Sequence, residues 1–131
     1  MMRVEQDQLH RSRLHDACVH ADMQQLRTSL EAGANPNATD ANGWTPLHFA
    51  AQANWPEGAM ALIEAGAAID PEDGHGNTPL FRAVFNSRGH GAVIKVLLEA
   101  GADASHKNRY GVSPRSLAQT IANYDVAQYF E

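Results

Sequence analysis

Seven histidines and a single cysteine are the side chains of this 131-residue chain with the most to offer chemistry. His10, His15 and His20 follow one another at intervals of five. Two metal ligands on one helix face need an interval of four, and no His-Glu-x-x-His run occurs, so no metal site is expected. Asp70-Pro71-Glu72-Asp73 gathers acid groups, but its spacing is not that of a calcium loop. It reads as a solvated turn first and as a charged contact second. Gly89-His90-Gly91 follows no strand and opens no phosphate-cradling loop, so it reads as a turn between helices. Asn37-Ala38-Thr39 has the form of a glycosylation acceptor, yet no leader-like segment goes with it. No paired carboxylates, triad or activated nucleophile emerges. Catalysis and a cofactor are therefore not expected.

Composition narrows the remaining classes. The chain is 44% hydrophobic and 19% charged, which suits one folded domain and excludes a disordered or collagen-like one. Its net charge of −5 argues against a nucleic-acid binder, which needs a basic stripe. No apolar run approaches the ~18–20 residues of a membrane span. Met1–Gln8 lacks the apolar stretch of a signal peptide. Lone Cys18 fits a reducing compartment, and a cytoplasmic location is expected.

The elements that could position a functional surface emerge from internal repetition. Thr45-Pro46-Leu47-His48 recurs 33 residues later as Thr78-Pro79-Leu80-Phe81, and again 35 residues on, more weakly, as Ser113-Pro114-Arg115-Ser116. Ala32-Gly33-Ala34 recurs at the same two intervals, as Ala65-Gly66-Ala67 and Ala100-Gly101-Ala102. Leu14-His15 lies one interval before Leu47-His48, so a first unit begins there without Thr-Pro. Threonine or serine before proline starts a helix, because the hydroxyl caps an orphan N–H and proline needs no donor at the first position. Glycine stops the second helix, since it accepts the left-handed conformation after the C-cap. Between the markers, Leu26 and Leu30, Ala59, Leu62 and Ile63, and Val93/Ile94 with Leu97/Leu98 keep helical spacing. Asn35-Pro36-Asn37 and Asp73-Gly74-His75-Gly76-Asn77 read as turns. The unit is helix, short turn, helix, extended turn, and such units must stack to bury their apolar faces. Cys18, matching Ala51, takes a small buried position. The extra two residues of the third unit fall at Asn86–Gly91, between its helices.

Gly43-Trp44-Thr45-Pro46-Leu47-His48-Phe49-Ala50-Ala51, Gly76-Asn77-Thr78-Pro79-Leu80 and Gly111-Val112-Ser113-Pro114 resemble the signature of ankyrin repeats. The resemblance covers residues 9–131. It implies an all-α solenoid of four helix-turn-helix repeats with finger-like turns, near 9–39, 40–72, 73–107 and 108–131, behind an N-terminal extension at 1–8. It also implies a protein partner and no catalysis. Asp16 in the first unit, and Arg115 with a short final helix near Val126 and Phe130 in the last, suggest polar caps. His48 is expected to brace neighbouring turns. The ending Ser113–Val126 is similar to the last repeat of small bacterial ankyrin proteins that act as immunity proteins for secreted toxins. A scaffold or regulatory adaptor without a toxin is the alternative.

Finger tips and first helices would form one surface that packing does not dictate. By repeat position its partner-binding residues are Asn42, Trp44 and Gln52, then Glu72, His75, Asn77, Arg82, Phe85 and Asn86, then Lys107, Arg109, Tyr110 and Val112. Large aromatics and arginine commonly anchor interfaces. Trp44 could equally pack over the next finger. Acidic Asp70, Glu72 and Asp73 face basic Lys107, Arg109 and Arg115 farther along, a division that would orient a partner. The free chain is expected to be a monomer, with neither nucleic acid nor membrane among its partners.

Overall fold

The first helix of each unit starts at a hydroxyl cap, as the computed structural model, described here for residues 11–121 and 126–130, shows in one unit after another. Thr45, Thr78 and Ser113 are extended, and each side chain accepts the N–H three residues on. They open α3 (Pro46–Gln52), α5 (Pro79–Phe85) and α7 (Pro114–Thr120). The first unit has the same device: Ser12, 33 residues before Thr45, caps α1 (Arg13–Val19). Sequence reading missed that serine because no proline follows it.

The second helices are α2 (Met23–Glu31), α4 (Pro56–Glu64) and α6 (Ala92–Glu99). Each ends at the Ala-Gly-Ala marker, where two crossed bonds close the last turn. In α2 the Gly33 N–H donates to the Leu30 carbonyl and the Ala34 N–H to that of Ser29, both at 3.0 Å. The same pairs recur after α4 and α6 at 3.0 Å. Gly33, Gly66 and Gly101 have φ of 91°, 100° and 100°, a conformation other residues rarely adopt.

First helices pack side by side in the order α1, α3, α5, α7, and second helices form a parallel row behind them. Between the rows lies one continuous core that includes Leu14, Leu26, Leu47, Leu62, Leu80, Ile94 and Leu97. Cys18 is fully buried in it, and burial pushes its thiol up to about 12. Among the described residues the secondary structure is all helical. The expected final helix is a 3₁₀ turn, Ala127–Phe130, following fully buried Val126. The 1–8 extension and residues 122–125 of the last unit lie outside the described residues.

The two-residue excess does fall between α5 and α6. In the two shorter units this turn passes through a single left-handed residue, Ala21 or Asn54. In the third unit Arg88 and Gly89 share that role. No helix is long and apolar enough to cross a membrane among the described residues.

Candidate functional site

Three fingers project from the first-helix row, and each is organised by one side chain. The Asp40 Oδ1 accepts the N–H groups of Asn42 and Trp44, both at 2.9 Å. Asp73 repeats this with His75 and Asn77 at 2.8 and 3.0 Å, and Asn108 with Tyr110 and Val112 at 2.8 and 3.0 Å. The Asp73 carboxylate is therefore buried at the finger base, not in a solvated turn as its sequence neighbourhood suggested. Successive fingers are joined by main-chain bonds, Gly74 N–H to the Asn42 carbonyl and Arg109 N–H to that of His75, both 3.0 Å.

Histidines lock the fingers to the helices. The Thr45 N–H points at the His48 Nδ1 from 3.1 Å, which leaves the ring proton on Nε2; that atom donates to the Asn77 carbonyl at 2.8 Å. His15 does the same one repeat earlier, with the Ser12 N–H at 2.9 Å and the Trp44 carbonyl at 2.8 Å. The bracing role expected of His48 is what the geometry shows. Burial pulls the His48 pKa below the ordinary histidine value, and the Asn77 carbonyl and Asp73 only partly oppose it.

The Asp40 and Asp73 fingers, with α3 and α5, enclose an open groove of about 880 Å³. Six of the residues expected to meet a partner line it together: Asn42, Trp44, Gln52, Glu72, His75 and Arg82. Trp44 is half-buried, its ring 4.7 Å from that of Phe49, while the Arg82 guanidinium lies 4.7 Å over the indole. Arg82 reaches Asp73 at 3.7 Å, and its side chain keeps 18% of its surface. Phe85 and Tyr110 are 59% and 74% exposed, and Tyr110 tilts over His75 at 6.3 Å. Glu72 contacts His106 at 2.6 Å.

Other expected residues lie elsewhere. Asn77 is a correction: it is only 6% exposed, its Oδ1 accepts from Asn108 at 2.8 Å, and it belongs to the seam between fingers. Asn86 is half-buried as the cap of α5, with its carbonyl taken by Asn54 at 2.7 Å. Exposed Lys107, Arg109 and Tyr110, and half-buried Val112, belong to the next finger, outside the groove lining.

Among the groove residues that escaped the sequence reading are Arg11 and Phe49. Arg11 lies 33 residues before Trp44 and so holds the same repeat position, a signal that was available once Ser12 was recognised as a cap. Phe49 lies 33 before Arg82 and shares its place on the first helix. The Arg11 guanidinium sits 5.0 Å over the Phe49 ring. Among the described residues no three His, Cys, Asp or Glu side chains come together as a metal site.

Comparison with known proteins agrees with this architecture. A family model described as "Ankyrin repeats (3 copies)" matches residues 14–108, and the chain belongs to the ankyrin repeat family. It is 33% identical over 118 residues to tyrosine-protein kinase HTK16 of Hydra vulgaris, covering 90% of this chain but 16% of that protein. It is 36% identical over 79 residues to human ankyrin repeat and SOCS box protein 3, covering 60% of this chain and 15% of that one. With mouse protein phosphatase 1 regulatory subunit 27 the match is 33% over 64 residues, 47% of this chain and 42% of the other. The chain thus spans less than half the length of each of these relatives.

Proposed function

We propose that this protein is a binding module without catalytic activity, and that it grips one protein partner through the groove and the exposed aromatic side chains beside it. The observation that carries this reading is the exposure of Phe85 and Tyr110 next to half-buried Trp44 and Arg82, on the finger and first-helix side. Aromatics and arginine at such places usually supply most of an interface's energy. The test is to purify the chain from its native source, identify the retained protein, and measure its affinity for the Trp44→Ala/Tyr110→Ala double variant. Binding should weaken at least several-fold with the helical signal unchanged. Unchanged affinity would remove this face from the account.

A finer reading concerns the partner. The ending from Ser113 to Val126 is similar to that of small bacterial immunity proteins, and on that resemblance we propose a secreted toxin domain, neutralised by a module that covers its active site. A regulatory adaptor is the second reading, favoured by the likeness to a phosphatase regulatory subunit. Genomic context separates them: a toxin-domain gene immediately upstream favours neutralisation, and its absence favours the adaptor.

A further inference from the structure

The two arginines of the groove are held in place but have donors left unspent. Arg82 lies against the Trp44 and Phe85 rings at 4.7 and 6.0 Å, and Arg11 against Phe49 at 5.0 Å. Among the described residues neither guanidinium donates a hydrogen bond, and the Nε of each is buried without a partner. The nearest carboxylate to Arg82, the Oδ2 of Asp73 at 3.7 Å, makes a charge contact that is too long for a hydrogen bond. By contrast, Arg115 on α7 donates to the Ser105 hydroxyl at 2.7 Å.

Acid groups divide in the opposite sense. On the finger side each makes a contact of its own, although the buried Asp73 Oδ2 and Asp70 Oδ1 accept no hydrogen bond. Asp40 and Asp73 brace their own fingers, Asp70 accepts the Asp103 N–H at 3.0 Å, Asp103 accepts that of Ser105 at 2.9 Å, and Glu72 contacts His106. The second-helix side carries the free ones: Glu31, Glu57, Glu64 and Glu99 are exposed there, against Arg27 and Lys95. The groove lining thus holds three carboxylates, Asp40, Glu72 and Asp73, which serve finger turns or ion contacts within the molecule, and two guanidiniums that donate no hydrogen bond among the described residues.

We propose that the groove takes an acidic, extended segment of the partner protein, with one carboxylate on the outer edge of Arg82 and a second at Arg11. A planar guanidinium can keep its face on an aromatic ring while its edge forks onto a carboxylate, which a lysine cannot reproduce. This rests on the protein-binding reading above and adds the chemistry of what is bound.

The probe is a phage library of random 12-residue peptides selected against the full chain, with selected sequences compared to the unselected pool. Recovered peptides are synthesised and titrated by fluorescence anisotropy against the parent chain and its Arg82→Gln, Arg82→Lys, Arg11→Gln and Trp44→Ala variants. Asp and Glu should be enriched, binding should weaken with added salt, and Arg82→Gln should cost about tenfold, with Arg82→Lys restoring only part. Arg11 precedes the first helix, so Arg11→Gln gives the same test should Arg82→Gln disturb folding. Neutral or basic peptides that need Trp44 but neither arginine would overturn the acidic partner and leave the groove standing. Peptides indifferent to Trp44→Ala, or none at all, would overturn both.

Discussion

Where the second repeat meets the third, a buried neutral imidazole carries the connection. Where the third meets the fourth, Phe81 stands in the equivalent place, and the polar links move outward to the fingers. There they are the Asn108 side-chain amide to Asn77 at 2.8 Å and the Arg109 N–H to the His75 carbonyl at 3.0 Å. The imidazole bond of the inner joint is withdrawn from water, whereas the side-chain link of the outer joint is only part-buried. Hydrogen bonds of the first kind are costly to break, because removal strands a buried partner. A part-buried bond costs less to break, because water can reach the partner left behind. The exposed Glu72–His106 pair, which also joins the second repeat to the third, contributes little and is screened by salt. In a stacked array, where each repeat leans only on its neighbours, this predicts that the fourth repeat opens before the middle two.

His48→Ala should break the contrast most strongly. It removes a buried ring and two hydrogen bonds, and a loss of about 2–4 kcal/mol in denaturant unfolding is expected. Acid should act on the same joint. The His48 pKa is lowered in the fold, so the unfolded chain binds its proton first as the pH drops. Stability should therefore be full above the ordinary histidine value of about 6.5 and decline below it, until the folded ring itself protonates. Asp73, Asp40 and Arg82 all act on this ring, and a flattened pH dependence in His48→Ala is the check. At the exposed surface of the same joint, Glu72→Gln should cost under about 1 kcal/mol, with a difference from the parent chain that shrinks as salt is added. Phe81→His would sharpen the comparison with the opposite sign. The Val112 carbonyl, which already accepts the Asn108 N–H at 2.9 Å, would gain a second donor. The expected gain is about 0.5–1 kcal/mol, read as slower amide exchange in α7.

Much of the architecture was legible because repetition turns weak local signals into strong ones. Thr45-Pro46 alone is one helix start; met again as Thr78-Pro79 and Ser113-Pro114, it sets a register from which the helix stops at Gly33, Gly66 and Gly101 follow. The groove was only half legible, and the reason is physical. Sequence position places a side chain on a face but does not say whether a neighbouring repeat covers it. Asn77 has the same repeat position as Trp44, yet Asn108 reaches over it and draws it into the seam. Asp73 sits in an acidic run that looks solvated, although its task is to hold two N–H groups of its own finger. The register Asp40, Asp73, Asn108 carried that information, but only beside the recognition that one carbonyl-type oxygen can organise a whole turn.

Cys18 offers a use of its own. As the chain's one cysteine, buried between α1 and the core with its thiol pushed up to about 12, it resists alkylating reagents while the first repeat is closed. Its modification rate would count the openings of that end of the stack, so the molecule carries an internal clock for its own unravelling that needs no engineered label.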